Sequence, residues 1–259
     1  MVYPFVERFT TTPWGKMYSR SAELSIESQV TVILVPGMII SSSYMIPLAL
    51  ELAPYCTVHM IDFPGYGKSE KPNNNVLNIS ELAEALQIWM TSNAIAKAAL
   101  VGNSFGCQIV AEFAARYPEL VDKLVLQGPT VDPTARSVFR QMIRLKLNSM
   151  RESKSAGLIS VKDYRAAGLK RIIKTIRMTM QDRIETKLPQ IRARTLVVRG
   201  DRDPVVPQEW AEQVTQLIPS SELCVIPDAA HILNYSEPKK FSRVILKFLG
   251  LSYRGSDDS

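Results

Sequence analysis

Short β-branched runs alternate with longer stretches of helical periodicity along most of the chain, a pattern that predicts an α/β fold with a mainly parallel sheet. Val30-Thr-Val-Ile-Leu-Val35 predicts a buried strand, and Tyr44 to Leu52 a helix that stops at Pro54. Thr57-Val-His-Met-Ile-Asp62 predicts a second strand, ending in the turn Pro64-Gly65-Tyr66-Gly67. Ser80 to Met90 predicts a helix with Ser80 as its N-cap. Ala98-Ala-Leu-Val101 predicts a third strand, which turns at Gly102 into a helix from Phe105 to Arg116, stopped by Pro118. The remaining predicted strands are Lys123–Gln127, Thr195–Arg199 and Leu223–Ile226, and the remaining helices Gln208–Leu217 and Pro238–Leu249.

Between Thr134 and Leu188 this rhythm gives way to helical periodicity alone. Phe139, Met142, Ile143 and Leu147 form one apolar stripe beside a basic row of Arg136, Arg140 and Arg144. Leu169, Ile172, Ile173, Ile176 and Met180 form a second stripe, with Lys170, Arg171, Lys174 and Arg177 on the polar side. The expected organisation is a core domain, residues 1–133 and 189–259, interrupted by a helical insertion at 134–188. Charge separates the two parts. The insertion carries 14 basic and 4 acidic residues, a net of +10, although the 259-residue chain is only +6, so the remainder is −4.

Composition then narrows the chemistry. Two histidines, His59 and His231, leave too few for a multi-histidine metal site. Cys56, Cys107 and Cys224 are far apart, without a CxxC pair, which argues against a disulfide scaffold or zinc site and fits a reducing, cytoplasmic setting. The first residues, Met1-Val-Tyr-Pro-Phe-Val-Glu-Arg, lack the pattern of a secretory leader. The apolar runs are strand-sized, so no membrane span is expected. The tail Gly255-Ser-Asp-Asp-Ser259 is expected to fray.

The strongest chemical signal is Gly102-Asn103-Ser104-Phe105-Gly106, a GxSxG sequence between a predicted strand and a predicted helix. The glycines allow a tight turn that exposes the Ser104 hydroxyl, but a serine needs a base to act as nucleophile. Asp203, in Gly200-Asp-Arg-Asp-Pro204, follows one later strand, and His231, in Asp228-Ala-Ala-His231, follows another. Carboxyl ends of parallel strands share one sheet edge, so Ser104, Asp203 and His231 can converge there. His231 would take the serine proton while Asp203 fixes its tautomer. Asp201 is the rival acid; His59, inside a strand and before the motif, reads as structural. Two backbone N–H groups are expected at the oxyanion: Phe105, after the nucleophile, and Met38, in the loop Pro36-Gly37-Met38.

These features resemble the α/β-hydrolase superfamily over nearly the whole chain. The resemblance includes Val35-Pro-Gly37, where the family commonly has His-Gly, and Asp62-Phe-Pro-Gly-Tyr-Gly-Lys-Ser69, similar to its D-x-P-G-x-G-x-S turn. It also includes the insertion, which falls where the family carries its cap or lid. It implies a mostly parallel sheet flanked by helices, with a helical cap, and a cofactor-free serine hydrolase acting through an acyl-enzyme. Pro36 departs from the family's histidine, but the expected donor is the Met38 backbone. Asp62 and Asn103 read as supports of their turns, and Cys107 as a buried, inert thiol. A serine at the elbow favours acyl transfer over the aspartate chemistry of dehalogenases and epoxide hydrolases.

A carboxylic ester, or a related acyl compound that is small and largely apolar, is the expected substrate. The wording Gly-Asn-Ser-Phe-Gly is also similar to meta-cleavage-product hydrolases, which cut C–C bonds, so that activity is the runner-up. Against it stand Met38-Ile-Ile-Ser-Ser42 in place of a Gly/Pro-rich loop, and Ile232 in place of tryptophan after His231. A non-catalytic ligand-binding protein on the same fold is the third reading. Phe139, Met142, Ile143, Ile173 and Ile176 are expected to wall the pocket, with the basic faces solvated. Attraction of anionic substrates and contact with an anionic membrane surface are the sharper readings of the charge. Nucleic acid is disfavoured for want of a motif.

Overall fold

The computed structural model describes residues 5–22, 30–72 and 76–253; the tail from Gly255 lies outside them. Eight strands form one sheet: β1 (Val6–Thr12), β2 (Gly15–Ala22), β3 (Thr31–Val35), β4 (Thr57–Ile61), β5 (Ala98–Asn103), β6 (Val121–Gln127), β7 (Arg194–Gly200) and β8 (Ser221–Ile226). Their order is β1-β2-β4-β3-β5-β6-β7-β8. From β4 to β8 every neighbouring pair is parallel; β2 pairs antiparallel with both β1 and β4. The β1–β2 hairpin has no counterpart among the strands predicted above. Val6-Glu-Arg-Phe-Thr-Thr-Thr12 is polar and mostly exposed, as an edge strand can be, so it offers no apolar run.

The sheet is covered on both faces, and alternation along each central strand sorts side chains between them. Ile33, Val35, Leu100, Leu124 and Val197 join one cluster with α2 (Ile79–Ser92), α3 (Phe105–Arg116) and α7 (Gln208–Leu217). Val32, Leu34, Val101, Val125 and Val198 join the other, against α1 (Ile46–Leu52) and α9 (Pro238–Leu249). Burying each such aliphatic side chain is worth roughly 1.5–3 kcal/mol, which fixes strand register, because a one-residue slip would swap the faces. Asn78, one turn's edge before the expected Ser80, caps α2. Its side chain accepts from the Glu81 N–H (2.9 Å), and the Glu81 carboxylate accepts from the Asn78 N–H (2.7 Å). Ser80 instead donates to Glu112 Oε1 (2.7 Å).

Between β6 and β7 the chain is helical, with α4 (Val138–Ser149), α5 (Lys154–Ala167) and α6 (Leu169–Gln181) as its main elements. A short α8 (Leu233–Ser236) precedes α9. Among the described residues no helix is long and apolar enough to cross a membrane. Asp62 sits just past β4, buried, and accepts from the N–H groups of Ser42 (2.5 Å) and Lys68 (2.8 Å). It therefore ties two loops together, which is the supporting role its turn motif implies. His59 is also structural: its Nδ1 meets Ser21 Oγ at 2.8 Å, its ring packs edge-on to Trp89, and burial lowers its pKa to about 4.

Candidate active site

The carboxyl ends of β3, β5, β6, β7 and β8 carry the chemistry-bearing residues to one edge of the sheet. Ser104 connects β5 to α3 with φ 54° and ψ −114°, a conformation that costs a non-glycine residue energy. Its own backbone is clamped: the Ser104 N–H donates to the Gln127 carbonyl (2.9 Å), and its carbonyl accepts from Cys107 N–H (2.9 Å). The flanking glycines are required by close approach. A Cβ on Gly106 would lie 2.6 Å from the Val35 carbonyl oxygen, and one on Gly102 2.7 Å from Val110 Cγ2. Cys107 is fully buried, its Sγ 3.1 Å from the Gly102 carbonyl oxygen, and burial pushes the thiol well above its ordinary pKa.

Geometry separates the two candidate acids. Asp203 Oδ2 is 2.8 Å from His231 Nδ1, with both residues buried. Asp203 Oδ1 accepts from the N–H groups of Val205 (2.7 Å) and Val206 (3.1 Å), so the carboxylate keeps one oxygen for the imidazole. Asp201 is exposed and accepts from the Ala229 N–H (3.2 Å), bracing the loop that leads to His231. On the far side of the ring, His231 Nε2 is buried with no partner among the described residues. Burial alone would lower the His231 pKa. The charge and hydrogen bond of Asp203, with the Glu152 charge, outweigh it, and the imidazole stands above its usual value.

Several residues that sequence reasoning did not single out hold this pair. Gln127, the last residue of β6, donates to the His231 carbonyl and accepts from Asn103 Nδ2 (2.8 Å), which links the elbow to the histidine loop. Asn103 thus supports the turn, as expected. From the insertion, Asn148 accepts from the His231 N–H (3.1 Å) and Glu152 Oε1 from the Ile232 N–H (3.0 Å). Arg199 donates to the carbonyls of Val206 (3.0 Å) and Asp203 (3.3 Å), pinning the acid's loop. None belongs to a motif. Only position in space gives these residues a role, and the sole signal in the sequence is that Gln127 and Arg199 are polar at the ends of apolar strands.

Ser104 and His231 open into one cavity of about 320 Å³. Met38 and Gly37 line it, close to Ser104: a Cβ on Gly37 would stand 3.6 Å from Ser104 Cβ. The Met38 N–H has no acceptor among the described residues, and the Phe105 N–H is the first of α3, where no intrahelical acceptor exists. Tyr44, Tyr164 and Glu152 complete the wall, with α4 contributing Leu145 and Asn148. Glu152 Oε2 is buried without a partner, and burial raises the carboxyl's pKa despite the Ile232 hydrogen bond and the His231 charge.

The five apolar residues expected to wall the pocket do not line this cavity. Phe139, Met142, Ile143 and Ile173 are exposed, and Ile176 is half-buried. On α4 the apolar stripe is turned outward, whereas α6 buries a mixed face on which Ile172 and Met178 pack against the core beside polar residues. Gln141 and Asn148 of α4 face inward, as do Arg171, Thr175 and Thr179 of α6. Their polar atoms serve the body beneath: Thr175 Oγ1 meets Tyr66 Oη at 2.7 Å, and Gln108 Nε2 donates to the Thr179 carbonyl (3.1 Å). Periodicity reveals a stripe, but not which stripe the body needs.

A serine on a strained strand-to-helix turn, beside a buried His–Asp pair at the same edge of a mostly parallel sheet, defines the α/β-hydrolase class. The chain belongs to the alpha/beta hydrolase fold family, whose model matches residues 30–154 and 160–238. It is similar to a 2-hydroxy-6-oxononadienedioate/2-hydroxy-6-oxononatrienedioate hydrolase of Escherichia coli, 27% identical over 222 residues, covering 74% of this chain and 76% of that protein. Among solved structures it resembles a bacterial membrane phospholipase A at a TM-score of 0.80 and 22% identity, covering 95% of this chain and 86% of that one. A meta-cleavage product hydrolase from Pseudomonas fluorescens aligns at a TM-score of 0.73 and 20% identity, covering 94% and 97%. At these identities the structural likeness shows the shared fold.

Proposed function

We propose that the protein is a serine hydrolase that cleaves a carboxylic ester, or a related acyl bond, of a small and largely apolar substrate. The observation that carries this reading is the buried Asp203–His231 pair, with His231 and Ser104 lining one cavity. Ser104 Oγ attacks the carbonyl carbon as His231 Nε2 takes the hydroxyl proton. The Met38 and Phe105 N–H groups stabilise the oxyanion. Collapse expels the alcohol, which takes the proton from His231 and leaves an acyl-serine. Water, deprotonated by His231, attacks that ester; the acid departs and Ser104 regains its proton. Asp203 holds the tautomer and balances the imidazolium charge throughout. The helical insertion serves as the cap over this site.

C–C bond hydrolysis is the second reading, favoured by the likeness to the Escherichia coli hydrolase. The cavity lining speaks for the ester. Among the described residues no Lys or Arg lines it, whereas Glu152 does, with one carboxylate oxygen unpartnered. A dianionic substrate would meet a buried carboxyl group and no cation to balance its charge, a cost that a neutral ester avoids. Kinetics on p-nitrophenyl esters of graded acyl length, with a ring-fission dienoate alongside, test the choice. The expected result is turnover of neutral short or medium esters with kcat/KM at least tenfold above the dienoate. Faster dienoate cleavage would transfer the assignment to C–C hydrolysis.

The pH profile tests the base. Only neutral imidazole can accept the serine proton, so the acylation rate should rise with pH through the His231 pKa. Sequence alone puts that limb near the ordinary histidine range of about 6 to 7. The Asp203 and Glu152 charges place it above the group's usual value, against the opposing pull of burial. Glu152→Gln removes one of those charges and should move the acid limb to lower pH, read by single-turnover acylation. An unmoved or raised limb would show that Glu152 does not act on the histidine.

A further inference from the structure

Of the large apolar side chains that stand exposed, most belong to α4, α5 and α6. Met150 is 77% exposed, Leu158 73%, Phe139 72% and Leu169 71%. Phe139 on α4, Met150 just past its end, Leu158 on α5 and Leu169 on α6 put four well-exposed apolar groups on one stretch of the chain, more than the single hydrophobes scattered over an ordinary surface. Asn148 of α4 and Thr175 of α6 face the body and bond it, so rolling these two helices to hide the exposed groups would break those bonds.

The charge around them has one sign. Lys146, Lys154, Lys162, Arg165, Lys174 and Arg177 are exposed and have no carboxylate partner among the described residues. The four acids of the insertion are engaged inward or locally. Asp163 accepts from the Ser41 N–H (2.8 Å), Glu152 from Ile232, Asp182 pairs with Lys187, and Glu185 with Arg136 (2.5 Å). The outward face therefore presents apolar groups within a field of cations, on an insertion of net +10 against a body of −4.

We propose that the outward face of α4–α6 docks on the surface of an anionic lipid bilayer. Met150, Leu158, Phe139 and Leu169 enter the headgroup–acyl boundary, and the lysines and arginines meet lipid phosphates. The charge chooses this occupant. A second copy docked face to face would oppose one cationic surface with another, whereas an anionic bilayer complements both the charge and the apolar groups. The proposal is independent of the hydrolytic reading, because it concerns exposed side chains that do not line the cavity. It requires no membrane-spanning helix.

Vesicle sedimentation tests it, with phosphatidylcholine:phosphatidylglycerol 7:3 compared with pure phosphatidylcholine. The protein should pellet with the anionic vesicles at least tenfold more strongly than with the neutral ones, and binding should fall steeply between 50 and 500 mM salt. Two variants separate the contributions: Met150→Ser/Leu158→Ser/Leu169→Ser, and Lys162→Glu/Arg165→Glu/Lys174→Glu. Each should weaken anionic-vesicle binding at least tenfold while keeping the wild-type circular dichroism spectrum and melting temperature within a few degrees. Failure to pellet with anionic vesicles overturns the proposal, as does equal binding to neutral ones. Binding that the triple-serine variant leaves intact overturns the apolar insertion. Concentration-dependent self-association that this variant abolishes, without vesicle binding, would assign the face to a second copy instead.

Discussion

Ser104→Ala should lower kcat/KM by four to six orders of magnitude, since removing the nucleophile of a triad disables the unit and not one part of it. The variant should fold. Alanine keeps the β-carbon at φ 54°, so the backbone strain stays as it was, and the clamps to Gln127 and from Cys107 use main-chain atoms only. A fluorophosphonate probe should label the wild type once per chain and the variant not at all. Ser104→Gly adds a second signature. Glycine tolerates this backbone, so the inactive protein should melt above Ser104→Ala, by about 1 kcal/mol of relieved strain offset in part by the greater freedom of its unfolded chain. Labelling of the alanine variant at the wild-type rate would remove Ser104 from the mechanism and leave the fold as a binding protein.

The elbow was legible because its demands are local. A serine that must turn from a strand into a helix needs small residues two places either side, and Gly102 and Gly106 meet carbonyls and side chains that a methyl group would strike. The proposed acid and base were legible as far as topology reaches: both follow strands that end at the same edge. Topology could not separate Asp201 from Asp203, two residues apart in one loop. That choice rests on the N–H groups of Val205 and Val206, which turn the Asp203 carboxylate toward His231, while Asp201 is spent on Ala229. β1 escaped because an edge strand need not be apolar, and β2 because Lys16, Ser19, Arg20 and Ser21 leave no apolar run although most of the strand is buried. The insertion's orientation escaped for a different reason. Amphipathicity defines two faces, and on α4 the body took the polar one, through Asn148 at the histidine loop, while on α6 it took a mixed one, with Thr175 at Tyr66 beside Ile172. A rule that apolar faces point inward fails where a helix must satisfy buried polar groups beneath it and can leave its apolar side to another medium.

Gly128 is where a single methyl group would strike the His231 ring itself. It follows β6 with φ 61°, its N–H donates to the Val198 carbonyl (2.8 Å), and it packs against the buried pair. A Cβ there would lie 2.7 Å from His231 Cε1 and 2.9 Å from Nδ1, with Asp203 Oδ2 at 3.6 Å. Something has to move. The Gly128 backbone is held by the β6–β7 ladder, whereas the imidazole hangs from one hydrogen bond to Asp203 and from its own main chain. The ring is therefore the part that yields, which lengthens the Nδ1–Oδ2 contact or swings Nε2 from the serine. Misplacement of a catalytic group by about 1 Å costs on the order of 100-fold, so Gly128→Ala should lower kcat by 10²- to 10³-fold with KM little changed. The left-handed backbone adds a stability loss of roughly 1–2 kcal/mol. Gly250→Ala separates the two effects. Gly250 also has positive φ, at 80°, but a Cβ there meets no atom within 4 Å. It should lose comparable stability and keep wild-type kcat. Equal kcat in both variants would mean that the collision is absorbed elsewhere; a deficit confined to Gly128→Ala would tie the rate to the placement of one imidazole ring.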